Sequence, residues 1–329
     1  MAYVAHFGGK CIDAGCVDGL RIPVIMVVIY LKQAPHYTRL VDNSLKRNSK
    51  ILITGGAGYV GSAIHEALKA DFHVDICDLL FGSEIDFSVY PIQAYDVIIH
   101  LAAHSSVQMC DAAPNEAWKN NVVSFGKLLY RLRPDQLLIT ASSAAVYGVT
   151  VGSADESHEI AIPIKLYDTT KMINDLMVET EIARGKRIIS LRFGTIAGPS
   201  PLIRKDTVVN AMCQDALKYH RVKAVNPKIR RAVLFLPDLI NAVKLILRSL
   251  ESNASGIYNL ASLNTDIGSL GHKIAEIVGG VEIEMLNGPS SNYDFHIDSS
   301  KFCKKFGEFK STSLESVVRD LVNRFEGEN

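Results

Sequence analysis

The sequence predicts a doubly wound, mostly parallel α/β sheet. Three observations predict it: short β-branched runs alternate with helical periods, a glycine-rich turn joins the first such strand to the first helix, and an acid closes the second strand. In KILITGGAGYVG, residues 50–61, Ile51, Leu52, Ile53 and Thr54 form a buried strand that turns through Gly55, Gly58 and Gly61 into a helix running through Ala63 to Ala70. Each glycine answers a steric need: a tight turn, close approach of backbone N–H groups to a pyrophosphate, and close packing of helix on strand. The helix N-terminus beyond them favours negative charge. FHVDICD then gives a second strand ending in Asp78, 17 positions beyond Gly61, the spacing at which a carboxylate meets a ribose hydroxyl pair.

A link that includes Glu84 to Val89 leads to YDVIIHLAA, a strand from Asp96 to Leu101 that opens into small residues and so leaves room for a ligand at the carboxyl edge of the sheet. Pro114 to Arg133 is helical in period, with apolar Ala117, Val122, Phe125, Leu128, Leu129 and Leu132, and Pro134 stops it. DQLLITASSAAVYG is a strand from Leu137 to Thr140 that ends in hydroxyls and small residues. A polar stretch, 150–162, precedes Pro163 and a helix from about Tyr167 to Arg184; RIISLRFG, 187–194, is the last strand assigned to this domain. After Gly198-Pro199-Ser200-Pro201 the texture changes. Helices near 206–219, 237–250, 266–278 and 312–325, with short strands at 232–236 and 257–260, predict a smaller α/β lobe. The domain reading is an extension of unknown role at 1–49, a dinucleotide domain at 50–197 and a substrate lobe at 198–329.

Composition narrows the function classes. With 329 residues, 48% of them hydrophobic, the chain fills a real core, and 35 basic against 35 acidic residues leave no strong field to hold nucleic acid or an anionic membrane. Cys11, Cys16, Cys77, Cys110, Cys213 and Cys303 are scattered without a CxxC or a metal spacing, which predicts thiols in a reducing cytoplasm and no metal site. IPVIMVVIYL, 22–31, is too short for a membrane helix, which needs about 20 apolar residues. It reads as a buried strand or an interfacial segment, and Asp13 and Asp18 suit a secretory signal poorly.

The sharpest chemical signal is Tyr167-Asp-Thr-Thr-Lys171. At i, i+4 on a helix the phenol and the ammonium share a face, and a neighbouring cation is expected to bring the phenol below its ordinary pKa of about 10. For a lone YxxxK an accidental pair on a solvated helix would be the better reading. Here Ser142 and Ser143 stand at the ligand edge of the same predicted sheet, with Ser143 24 residues upstream of the tyrosine. A hydroxyl donor, a tunable phenol, a cation and a dinucleotide turn together can move a proton and a hydride.

From Lys50 onward the chain resembles the extended short-chain dehydrogenase/reductases, in the branch of NAD-dependent nucleotide-sugar epimerases and dehydratases, and is most similar to the UDP-glucose/UDP-galactose 4-epimerase kind. The motifs that carry the resemblance are TGGAGYVG, Asp78, DVIIHLAA, the NNV of Asn120 to Val122, SSAAVYG, YDTTK and LRFGTIAGP. It implies a Rossmann-type domain that binds NAD and a nucleotide-sugar substrate. Asp78 would hold the adenosine ribose, favouring NAD over NADP, and Asp86 and Phe87 would flank the adenine. Tyr59, Val60, Leu101, Ala102, Ala103 and Asn121 would line the cofactor. Ser143, Tyr167 and Lys171 would be the catalytic set, with Lys171 also at the nicotinamide ribose.

On the substrate side, Thr195 stands where epimerases of this kind carry an asparagine, and Arg231 fits the family's phosphate-binding arginine, with Arg230 as its alternative. A second arginine is replaced by Ser291 or Asn292, and Arg204 is a cation that could compensate. Dehydratases of the branch place Asp-Glu where this chain has Ala144 and Ala145, and decarboxylases carry a glutamate there, so epimerisation at C4 through a keto sugar is the leading expectation. A keto-sugar reductase drawing on NAD(P)H is the alternative, and a non-catalytic sensor a third. Tyr147, His100 and His104 read as packing residues, and Asp155, Glu156, His158 and Glu159 as a solvated loop. The family relation also implies a homodimer through the helices near 114–132 and 167–184.

Overall fold

The computed structural model describes residues 49–78, 86–249, 254–289 and 293–327. The chain divides into Met1–Asp42 and Asn43–Asn329; the first unit lies outside the described residues, and with it the expectations for Cys11, Cys16 and 22–31. Glu84, Ser291 and Asn292 lie outside them too.

The first half runs β1 (Lys50–Thr54), α1 (Tyr59–Leu68), β2 (His73–Cys77), β3 (Val97–His100), α2 (Val107–Ala112), α3 (Pro114–Trp118), α4 (Phe125–Arg131), β4 (Leu137–Ser143), β5 (Val149–Ala154), α5 (Leu166–Ala183) and β6 (Arg187–Phe193). Then come β7 (Thr195–Ala197), α6 (Val208–Tyr219), β8 (Arg221–Val225), β9 (Arg230–Phe235), α7 (Leu236–Arg248), β10 (Gly256–Leu260) and β11 (Leu263–Asp266). The chain continues through α8 (Ile267–Val278), β12 (Glu282–Leu286), β13 (Asp294–Ile297), α9 (Ser300–Phe306) and α10 (Leu314–Glu326).

Six parallel strands form the main sheet in the order β10-β6-β4-β3-β1-β2. Successive strand residues point to opposite faces, and here both faces are apolar, which is why the strands read as continuous β-branched runs. Ile51, Ile53, Ile99 and Ile139 pack with α1 and α7 on one side; Leu52, Ile98, Leu138 and Ile188 pack with Phe125, Leu128 and Val178 of α4 and α5 on the other. Strand order reverses at β1, flanked by β2 and β3, and a crevice opens there at the strands' carboxyl ends.

The turn after β1 is sterically exacting. Gly55 takes φ +71°, and a Cβ on Gly61 would stand 2.1 Å from the Gly55 carbonyl oxygen. Backbone atoms make that contact, so no rotamer relieves it. Gly61→Ala is expected to cost about 1–3 kcal/mol in urea unfolding. Gly126→Ala in α4, where a Cβ meets only Met177 Sδ at 4.0 Å, should instead stabilise by up to about 1 kcal/mol.

Three expectations are corrected. The helix expected over Pro114 to Arg133 is interrupted by a π-helical turn at Lys119–Ser124, between α3 and α4. The polar stretch 150–162, for which no strand was expected, holds all but the first residue of β5, which pairs in parallel with β13. The strand near 257–260, expected in the smaller lobe, is β10 at the edge of the main sheet. Helices α7 and α9, also within the span expected to form that lobe, pack on the main sheet through Leu239, Ile246, Phe302 and Phe306, while α6, β8, α8 and α10 pack around Val209, Met212, Val222, Ile274, Val317 and Leu321, a second core.

Candidate active site

A cavity of about 490 Å³ follows the crevice at the carboxyl edge of the sheet. At one end Gly55, Gly58, Tyr59, Val60 and Gly61 line it, with Asp78 beside them. Asp78 Oδ2 accepts from Ala57 N at 3.0 Å, so the carboxylate that directly follows β2 is fastened to the glycine turn after β1. Gly58 caps α1 without a side-chain hydrogen bond and no acid occupies the first turn, so a cavity-facing anion meets only backbone N–H groups there. Leu101, Ala102 and Ala103, just after β3, form the adjoining wall.

Midway, Ser143, Tyr167 and Lys171 converge. Ser143 ends β4 and its Oγ accepts from Ala145 N at 3.2 Å. Lys171 is buried one turn along α5, with Nζ 5.8 Å from the Tyr167 ring centre and donating to the Ala141 carbonyl at 2.9 Å. Burial brings its ammonium down to about 8, against the opposing pull of Asp175. The phenol departs from expectation: it lies above its ordinary pKa, because burial outweighs the hydrogen bond from Ser143 and the charge of Arg204. Helical spacing predicted proximity to a cation, but not that the cation would point at a carbonyl. Ser142 Oγ, buried on the same wall, has no hydrogen-bond partner among the described residues.

At the far end Thr195 and Arg231 line the cavity, joined by Arg204, Tyr293 and Phe295. Arg231 Nη1 donates to the Tyr293 carbonyl. Arg230 turns away and pairs with Asp294 at 2.8 Å. Arg204 is clamped by both oxygens of Asp206, at 2.6 and 2.9 Å.

Three residues expected at the cofactor lie off this cavity. Phe87 is 2% exposed, in the core beneath the sheet, with its ring edge-on to His100 at 5.8 Å. Asp86 is exposed and accepts from Ser88 N and Lys127 Nζ, each at 3.0 Å. Asn121 is buried, holding His104 N at 2.8 Å and Thr170 Oγ1 at 3.2 Å; the π turn puts Asn120 on the cavity instead. His100 stacks on Phe125 and accepts or donates through Nδ1 at Thr54 Oγ1, and burial drives its pKa down to about 3. Tyr147 is buried, donating to Asn259 Oδ1 at 2.9 Å. Glu156 is drawn into the core side of its loop, where Oε1 accepts from Asn259 N at 2.6 Å. Tyr293 and Phe295 had no signal in the sequence, since one immediately precedes and the other lies on a short strand, β13, whose partner β5 falls in a polar stretch.

Residues 51–261 match the model of the NAD dependent epimerase/dehydratase family, more than half of the chain. The chain belongs to that family. Among curated relatives, the UDP-glucose 4-epimerase of Lactobacillus helveticus is 30% identical over 174 residues, 46% of this chain and 53% of that protein. The chain spans about half the length of the first curated relatives it matches. A UDP-glucuronic acid 4-epimerase from Bacillus cereus, solved with UDP-glucuronic acid and NAD, superposes with a TM-score of 0.73 at 20% identity, covering 85% of this chain and 100% of the other. A UDP-N-acetylglucosamine 4-epimerase from Methanobrevibacter ruminantium M1, solved with UDP-N-acetylmuramic acid, gives 0.75 at 21% identity, covering 86% and 100%. At such identities the two structures establish the family's fold in this chain. Among the described residues, no helix is long and apolar enough to cross a membrane, and no group of three His, Cys, Asp or Glu could hold a metal ion.

Proposed function

We propose that this chain is an NAD-dependent epimerase of nucleotide sugars, acting at C4 through a transient keto sugar. One observation carries the proposal: Ser143, Tyr167 and Lys171 meet midway along a cavity with the glycine turn and Asp78 at one end and Thr195 and Arg231 at the other. The residues fit the cofactor. Gly55, Gly58 and Gly61 leave a cradle with no Cβ, Asp78 suits a ribose diol over a 2′-phosphate, and the buried Ser142 hydroxyl on the cavity wall has no partner among the described residues and is left to bond a bound molecule. Bound there, NAD supplies a reversible hydride acceptor.

The chain's own residues move the proton. Tyr167 Oη takes it from the sugar hydroxyl as that carbon is oxidised and returns it when the hydride comes back to the opposite face. Ser143 Oγ holds the same sugar oxygen. Lys171 keeps a positive charge beside the phenol and is the residue that would hold the nicotinamide ribose. Arg231, with Arg204 as a second cation, holds the diphosphate, while Thr195 lines the substrate. The working division is a dinucleotide half at 50–197 and a substrate lobe at 198–329, with β10 and the helices α7 and α9 returned to the first. Exposed Trp118, Val123, Tyr130 and Leu176 on the helices near 114–132 and 167–184 support a homodimer, and the thiols of Cys77, Cys110, Cys213 and Cys303 suit the cytoplasm.

Incubating the protein with UDP-, GDP- and dTDP-hexoses and scoring C4 isomers tests this reading. Interconversion at substoichiometric NAD is the expected result. A strict need for stoichiometric NAD(P)H would replace it with a keto-sugar reductase, and binding without turnover would replace it with a sensor.

A further inference from the structure

Asp168 follows Tyr167 on α5 and is only 5% exposed, a costly place for a carboxylate. Its partner is a residue of the cavity wall. Tyr293 donates its hydroxyl to both Asp168 oxygens, at 3.0 and 2.8 Å, while its main-chain carbonyl accepts from Arg231 Nη1. Tyr293 and Arg231 line the cavity; Asp168 faces the other way, into a separate groove with Ile160, Ile162, Pro163 and Met172. The aromatic residue therefore spans a partition, anchored by its side chain to the catalytic helix and by its backbone to the guanidinium at the substrate end. Lys165, three positions before Asp168, makes its ion pair with Asp111 at 3.7 Å and acts on Asp168 only through its charge. Arg230, on the strand that carries Arg231, is fastened to Asp294 beside Tyr293, which ties β9 to β13.

We propose that Asp168 and Tyr293 are positioning residues for the substrate: the pair braces the far wall of the cavity against α5 and, through the Tyr293 carbonyl, aims the Arg231 guanidinium at the diphosphate. This rests on the epimerase reading, in which Arg231 meets that diphosphate. The brace touches neither the reacting carbon nor the glycine turn. Its loss should weaken substrate binding and leave the chemical step and the cofactor in place.

The test uses the full chain with Tyr293→Phe, Asp168→Ala, Asp168→Asn and the Tyr293→Phe/Asp168→Ala double variant. Tyr293→Phe and Asp168→Ala should each raise KM for UDP-glucose about tenfold, the loss of one charge-assisted hydrogen bond, with kcat within about twofold and NAD affinity unchanged. The double variant should be no worse than either single one, because both remove the same bond. Asp168→Asn, whose amide oxygen still accepts, should recover to within about threefold of the parent. Unchanged KM, or single effects that multiply to about a hundredfold in the double variant, overturns the brace. Should Asp168→Ala fail to fold, Tyr293→Phe and Asp168→Asn carry the comparison. Calorimetric binding of UDP separates the two claims. A parent that binds UDP with this variant pattern but turns over no sugar nucleotide sinks the epimerase reading and keeps the brace; a parent that epimerises while its variants match it sinks the brace alone; a parent that does neither sinks both.

Discussion

Replacing Tyr167 with Phe is expected to lower C4 interconversion by about 10²–10⁴-fold, the worth of a positioned acid–base group, while bound NAD is retained. The change removes one oxygen and keeps the ring that fills the half-buried space between Ser143 and Lys171. Initial rates, paired with the amount of NAD released on denaturing the purified variant, check both halves. A variant with parental turnover would mean another group moves the proton. The same geometry dictates a pH dependence. Burial holds the phenol above its ordinary pKa, so the phenolate fraction, and with it kcat/KM, rises as pH rises from 6 toward 8. Lys171, brought down to about 8, then begins to lose the charge that supports the phenolate, and the profile bends over. Ser143→Ala should add little to Tyr167→Phe, since the two hydroxyls act on one oxygen.

Signals confined to one turn or one helix were readable in the sequence. Gly55, Gly58 and Gly61 lie within a single strand-to-helix turn, and Tyr167 and Lys171 within one turn of α5, so spacing alone places them together on the cavity. Asp78 was readable because a strand of known length delivers the residue that follows it beside the preceding turn. Asn121 was not, because a period of 3.6 carries no warning of the π turn at Lys119–Ser124, which exchanges its place with Asn120. Phe87 follows the same logic: its bulk packs in the core, edge-on to His100. The substrate end is the least local part of the site. Tyr293 reaches Asp168 across 125 positions, and β13 finds its partner β5 in a stretch whose small and polar residues disguise a strand.

The second large effect concerns the floor of the site. Asp175, 3% exposed at its side chain, accepts from Arg192 Nε at 2.8 Å and from Ser190 Oγ at 3.2 Å, and Arg192 Nη1 donates in turn to Tyr147 Oη at 2.8 Å. Asp175→Ala leaves the guanidinium buried without its counter-charge, which should cost about 3–5 kcal/mol in urea unfolding. The carboxylate also stands four residues beyond Lys171 on α5, and its charge raises the ammonium's pKa. Losing it should draw Lys171 further below 8, so the alkaline limb of the activity profile moves to lower pH. These two consequences separate in Asp175→Leu/Arg192→Met, where apolar side chains replace both charges. Stability should return toward the parent, as it does when a buried pair is exchanged for hydrophobic packing. The displaced alkaline limb should persist, because Lys171 still lacks its neighbouring anion. A double variant that regained both the unfolding midpoint and the parental pH profile would show that Asp175 serves the fold alone.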